Sequence, residues 1–317
     1  MRAIPLLTLL LGGWFVVPAH ADEAQDWLTR LGQAEQQQSF HGTFVYERNG
    51  SFSTHNIWHR VQDGKVRERL LQLDGSAQEV VRIDGRTQCV SGILIAGLGD
   101  SPSSSARALD PQKIKNWYDL AVIGKSRVAG RAAVIVSLTP RDQHRYGFEL
   151  HLDKETGLPL KSLLLNEKGQ LLERFQFTQL TTDGPSDSDL QPGADCKTVA
   201  LDSDKASAIK AAQVWRSDWL PPGFELTSST SRKDPETKTQ VNSLMYDDGL
   251  ARFSVFLEPL NGATITDTRT QLGPTVAVSR RLTTPQGEMM VTVVGEIPIG
   301  TAERIALSMR SDATATK

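Results

Sequence analysis

Catalysis needs reactive side chains at spacings that bring them together, and this sequence offers few. His55 and His59 form the only close histidine pair, four residues apart in an alternating stretch. On a strand that even spacing puts both rings on one face, but about 13 Å separates their Cα atoms, too far for a shared metal. They read as solvent-facing strand histidines. No G-x-S-x-G elbow, H-E-x-x-H pair or P-loop spacing occurs. Gly97-Leu98-Gly99 lacks the third glycine of a dinucleotide fingerprint, and Ser103–Ser105 reads as a flexible tip. Carboxylates are abundant, yet no two are placed to share a task. The expectation is a protein without catalytic residues, metal or cofactor.

Two cysteines, Cys89 and Cys196, remain. They are either a disulfide or two buried thiols. A bridge would close a loop of roughly a hundred residues, worth on the order of 4–5 kcal/mol in the chain-entropy model. The compartment favours it, because residues 1–21 carry Arg2, the apolar run Ile4–Val17 and the small-x-small site Ala19-His20-Ala21, which together read as a secretory signal peptide. No cysteine follows to take a lipid, and no later segment is apolar enough to cross a membrane. The mature chain is expected in a bacterial periplasm. Its charge is near balance, 37 acidic residues against 35 basic in the full chain, which argues against nucleic acid as a partner.

The elements that would position any site are mostly strands. Asp22–Phe40 reads as a helix, with Ala24, Trp27, Leu28, Leu31 and Ala34 at helical spacing. Asn49-Gly50, Asp63-Gly64, Asp74-Gly75 and Asp84-Gly85 then punctuate a run of strands at about ten-residue spacing. A Gly/Ser loop over Ala96–Ala108 and a short helix opened by Asp110-Pro111 interrupt them. The pattern resumes through Leu120–Val128 and Ala132–Pro140 into a meander over Arg145–Leu180. There Tyr146, Phe148, Leu150 and Leu152 alternate with polar residues, and Phe175 and Phe177 stand two apart. The fold class is α+β. Residues 22–182 form an antiparallel half-barrel with helices, 183–212 a polar linker, and 213–317 a smaller α+β domain closed by a helix over Thr301–Arg310.

YGFELHLDKETGLPLKSLLLNEKGQLLERFQFT, LLQLDGSAQEVV, WLPPGF, YDDGLARFSVFLEP and VTVVGEIPIGTAERIA together resemble the RseB/MucB family, periplasmic negative regulators of the sigma-E envelope-stress response. One member of that family regulates alginate production. The resemblance runs through both domains. It implies a first domain similar to the lipoprotein carriers LolA and LppX. It also implies binding to the periplasmic part of a membrane anti-sigma factor of the RseA or MucA type, which is thereby shielded from site-1 proteolysis. Lipid or lipopolysaccharide would be the releasing signal. The rival reading is a lipid or lipoprotein carrier. Self-association is left open.

Two surfaces follow as expectations. Trp58, Phe148, Leu150, Leu152, Leu164, Phe175 and Phe177 would line an acyl-binding concavity, unless the first helix fills it through Trp27 and Leu31. Tyr246, Arg252 and Phe256 would touch the protein partner, being residue types enriched at interfaces.

Overall fold

The computed structural model describes residues 19–76, 78–92, 109–199, 215–233, 239–263, 265–285 and 287–311. The signal segment up to residue 18 and the Gly/Ser loop from 96 to 108 lie outside the described residues.

Helix α1 (Ala19–Gln37) opens the described chain. Its stripe of Ala24, Trp27, Leu28, Leu31 and Ala34 is buried. It stops short of Phe40, because Phe40 already pairs with His59 in the sheet. Five strands follow: β1 (Phe40–Arg48), β2 (Ser51–Gln62), β3 (Lys65–Gln72), β4 (Glu79–Ile83) and β5 (Arg86–Ser91). The Asn-Gly and Asp-Gly pairs between β1 and β2, β2 and β3, and β4 and β5 all have positive φ at both residues. That is the conformation whose twist suits a tight hairpin. Helix α2 (Pro111–Ile114) is capped by the Asp110 carboxylate, which accepts from Gln112 N and Lys113 N. A second meander then runs through β6 (Tyr118–Val128), β7 (Arg131–Pro140), β8 (Gly147–Asp153), β9 (Pro159–Leu165) and β10 (Leu171–Thr181).

The two meanders join where β1 pairs antiparallel with β10. With β11 (Lys197–Thr198) on β5, they make one eleven-stranded sheet in the order β11-β5-β4-β3-β2-β1-β10-β9-β8-β7-β6. Helix α1 lies on the concave face. Toward β6–β8 its Trp27, Leu28 and Leu31 pack with Leu120, Val134, Val136, Leu150 and Leu152. Toward β1 and β10, Ala34 meets Phe40, Phe44, Leu158, Leu160 and Phe177.

The stretch expected as a linker from residue 183 instead returns to the sheet. Arg60 holds Asp187 at 2.6 Å, Arg69 Nη1 donates to Asp189 O at 3.0 Å, and Gly193 N donates to Glu79 Oε2 at 2.9 Å. Leu190 is buried, and Cys196 is disulfide-bonded to Cys89 with Cα atoms 5.5 Å apart. A polar composition conceals this strap because its attachments are ionic and backbone bonds to the sheet.

The second domain is a six-stranded sheet in the order β13-β14-β15-β18-β17-β16. Its strands are β13 (Glu225–Lys233), β14 (Gln240–Asp247), β15 (Arg252–Pro259), β16 (Thr268–Leu272), β17 (Thr275–Thr284) and β18 (Gly287–Gly295). Helix α3 (Ile299–Ser308) covers one face, burying Ala302, Ile305 and Ala306 against Phe253, Val255, Val278 and Val293. Short strands β12 (Trp215–Ser217) and β19 (Met309–Ser311) pair beside it. The domains meet closely. Gly223 lies under Trp117 so tightly that a Cβ there would come 2.2 Å from the indole. Arg145, fully buried, donates to Asp248 and to Pro222 O of the second domain and to Asp142 of its own.

Candidate functional site

In an antiparallel ladder, directly paired residues share a face and alternate residues do not. Phe44 pairs with Phe177 on one side and His55 on the other, so His55 and His59 face the helix side. They are buried, not solvent-facing. His55 stacks on Phe44 and His59 on Phe40, with ring centroids 5.1 and 4.7 Å apart. Each keeps a polar partner: His55 Nε2 meets Ser53 Oγ at 2.8 Å, and His59 meets Glu68 Oε1 at 3.1 Å and Glu35 O at 3.0 Å. Burial holds His55 below the usual imidazole range, against the pull of Asp74. Burial also pushes the Glu35 carboxyl up to about 7; His59 opposes the shift and Glu68 adds to it. This end of the concave face is thus a buried polar cluster.

The same parity removes Trp58 from the concavity. Trp58 pairs with Arg69, Arg69 with Val81, and Val81 with Cys89. That rung faces the strap, and the Arg69 guanidinium lies 5.0 Å from the centre of the Trp58 ring. Aromatic character suggested a lining residue, but three positions from His55 puts Trp58 on the opposite face.

The remaining lining residues divide. Leu150 and Leu152 are buried beneath α1 with Phe148 packed at the edge, so they are core rather than free lining. Leu164 is buried beside Phe148 and Glu173. Phe177 is also buried, with Phe44 and Phe175 at 5.9 and 5.0 Å. Beyond α1 an apolar strip stays half-buried: Phe175, Tyr46, Ile57 and Leu70, packed on that core.

On the convex face His151 is buried between Ser126 Oγ at 2.7 Å and Glu149 Oε1 at 2.9 Å. The order resembles a nucleophile, base and carboxylate. Its consequence here is that both imidazole nitrogens are satisfied, which lets a histidine be buried.

The expected partner surface on the second domain is altered as well. Tyr246 is core, stacked on Phe253 at 5.1 Å, because it pairs directly with that inward residue. Arg252 is half-buried, its Nε and Nη2 both donating to Asp247 Oδ2 at 3.0 and 2.9 Å. Phe256 alone of the three is exposed.

What sequence reasoning missed lies between the domains. A cleft of about 530 Å³ is lined by Gln143, His144, Tyr146 and Glu167 on one side and by Gln271, Ile299, Thr301 and Arg304 on the other. His144 Nδ1 meets Thr301 Oγ1 at 3.1 Å, and Tyr146 donates to Ile297 O at 3.1 Å. These contacts join residues more than 150 positions apart, and no local pattern reports them.

A family model for the MucB/RseB N-terminal domain matches residues 23–199, and one for the MucB/RseB C-terminal domain matches residues 209–310. The chain belongs to the MucB/RseB family. It is 63% identical over 320 residues to the sigma factor AlgU regulatory protein MucB of Pseudomonas aeruginosa, covering 100% of both chains. It is 29% identical over 291 residues to the sigma-E factor regulatory protein RseB of Escherichia coli, covering 89% of each. Among solved structures, the complex of Pseudomonas aeruginosa MucA and MucB matches with a TM-score of 0.81 at 63% identity, covering 92% of this chain and 100% of that one. A crystal structure of MucB in complex with MucA(peri) matches with a TM-score of 0.79 over the same share of this chain.

Proposed function

We propose that this protein is a non-enzymatic negative regulator of the periplasm. It binds the periplasmic segment of a MucA-like anti-sigma factor, shields it from site-1 proteolysis and lets go in response to a lipid signal. The observation that carries this reading is the end-to-end 63% likeness to MucB, whose solved structures include complexes with MucA. The cleft between the domains is the docking place we favour, because concave sites at domain boundaries bury most surface per ligand residue. Arg304 and His144 offer polar contacts there, and Phe256 extends the surface on the second domain. The lipid signal belongs to the strip of Phe175, Tyr46, Ile57 and Leu70, where each buried CH₂ contributes about 0.8 kcal/mol.

The carrier reading uses the same strip. Against it stands the second domain, which the buried Arg145–Asp248 pair fixes to the first; transport alone gives that domain no task.

The test is a titration of the full chain with the anti-sigma periplasmic segment, followed by digestion of the segment with its site-1 protease. Micromolar or tighter binding and slowed cleavage are the expected result. Arg304→Glu weakening binding at least tenfold while Phe256→Ala changes it less would place the segment in the cleft. A segment cleaved equally fast with and without the protein would sink the reading.

A further inference from the structure

Arg48 ends β1 and reaches across the domain boundary. Its Nη2 donates to Glu296 Oε1 at 2.8 Å and to Thr275 Oγ1 at 2.6 Å, both in the second domain. Its Nε lies 3.4 Å from Glu173 Oε2 of its own sheet, and Tyr46 donates to that same oxygen at 2.6 Å. The three charged side chains are only 22–27% exposed. The backbone of the β16–β17 turn closes over the arginine, since a Cβ on Gly273 would come 2.9 Å from Arg48 Cγ.

The charge does not balance. One guanidinium serves two carboxylates, and the other ionisable neighbours that bear on Glu296 and its surroundings, Glu167, Tyr146 and Tyr46, bring no positive charge. Glu173 lies on β10 of the first sheet, and Glu296 directly follows β18 of the second domain. When both are ionised, the burial of the Glu296 charge and its repulsion from Glu173 oppose closure against the attraction of Arg48; when one is protonated, that opposition falls. We propose that this seam is a proton-operated latch, in which a proton taken up by the Glu173–Glu296 pair around Arg48 closes the two domains on each other and its loss lets them part. The proposal concerns the free protein and does not rest on the identity of any partner.

The direction follows from linkage. Burial first, then Glu173, raise Glu296 from 4.5 to about 7, against the effect of Arg48; burial raises Glu173 too, against Tyr46 and Arg48. A carboxyl whose value is raised only in the closed form binds more protons there. Closure is therefore strongest below pH 4.5 and weakens as the pH rises to about 7. With an ordinary value in the open form, the closing equilibrium falls at most about thirty-fold from pH 5.5 to 8.5.

Thiol labelling reads this equilibrium even when the open form is rare. Thr301 is 3% exposed at the seam, and Leu307 is 62% exposed on the same helix. The native cysteines are tied in their disulfide. Labelling of Thr301→Cys is compared with that of Leu307→Cys at each pH, so that thiolate formation cancels in the ratio. The expected result is a protection ratio that falls several-fold or more between pH 5.5 and 8.5, with most of the fall complete by about pH 7. In the Glu296→Gln background, or Glu296→Met should the first variant fold poorly, the ratio stays high at both values. A ratio independent of pH in the parent, or the same pH dependence in a folded Gln or Met variant, overturns the latch.

Discussion

Arg145 Nη1 donates to Asp248 Oδ2 at 2.5 Å, with both side chains wholly buried and one in each domain. The guanidinium also lies 5.1 Å from the centre of the Phe224 ring and 5.5 Å from that of Trp117. Removing Asp248 breaks this buried pair and leaves the guanidinium only Asp142 and Pro222 O, while removing Arg145 leaves Asp248 as an uncompensated buried charge. Asp248→Ala should cost about 3–5 kcal/mol, and it should split thermal unfolding into two transitions as the domains uncouple. Replacing both, as in Arg145→Met with Asp248→Leu, should cost less than the single change. Calorimetry decides; a single cooperative transition of unchanged midpoint in Asp248→Ala would contradict the pinning role.

Phe177 and Phe175 face the same way but differ in cover. Phe177 is core, so Phe177→Ala should destabilise the first domain by about 3–5 kcal/mol. Phe175 is half-buried on the strip beyond α1. Phe175→Ser should keep most of the stability and lose binding of a fluorescent fatty-acyl probe. Urea titration beside probe titration separates the two, and unfolding of Phe175→Ser would make that residue core instead.

The Cys89–Cys196 bridge spans 107 residues. In the chain-entropy model its loss costs about 4–5 kcal/mol. Cys89→Ser with Cys196→Ser should lower the unfolding free energy by that amount or less, since Arg60, Arg69 and Glu79 still hold the strap. Amide exchange should quicken first at residues 187–196. Equal exchange there with and without the bridge would show that the ionic contacts suffice.

Glu35 makes a pH prediction. Its folded value is raised to about 7 from 4.5, so the native state holds an extra proton between those limits. Stability from this group is therefore full below pH 4.5 and is lost as pH rises through about 7. Glu35→Gln should remove that fall, making the variant the more stable protein above pH 7. Denaturant midpoints at pH 5.5 and 8.5 test it, and parallel midpoints for both proteins at both values would refute the burial of this carboxyl.

Local structure was legible wherever a residue's neighbours along the chain decide it. The Asn49-Gly50 turn and the Asp110-Pro111 helix start are as expected, because a turn or cap residue sets each boundary. The two-domain α+β plan followed from the helical spacings, the turn rhythm and the polar stretch between the two runs of strands. The site was less legible, because it depends on which face a strand residue takes. Trp58 was assigned by its type, whereas its position relative to His55 decides the face. His55 and His59 looked solvated because a lone histidine carries no sign of the Phe44 and Phe40 rings it will meet. Tyr246 looked free for want of its partner Phe253. Arg48, Arg145 and Glu296 gave no sign at all, since what makes them special arrives from the other domain.

The pairing of β1 with β10 has a consequence for how the chain is made. His41 lies opposite Thr181, so the first strand to be synthesised waits for almost the last of its domain. Until then β1 and β10 each stand as an unpaired edge of their own array, and α1 has only part of the surface it must cover. Contacts so distant in sequence slow folding. The polypeptide therefore stays in two separate arrays until the chain is complete through β10, and only then does one continuous surface exist for α1 to lie on.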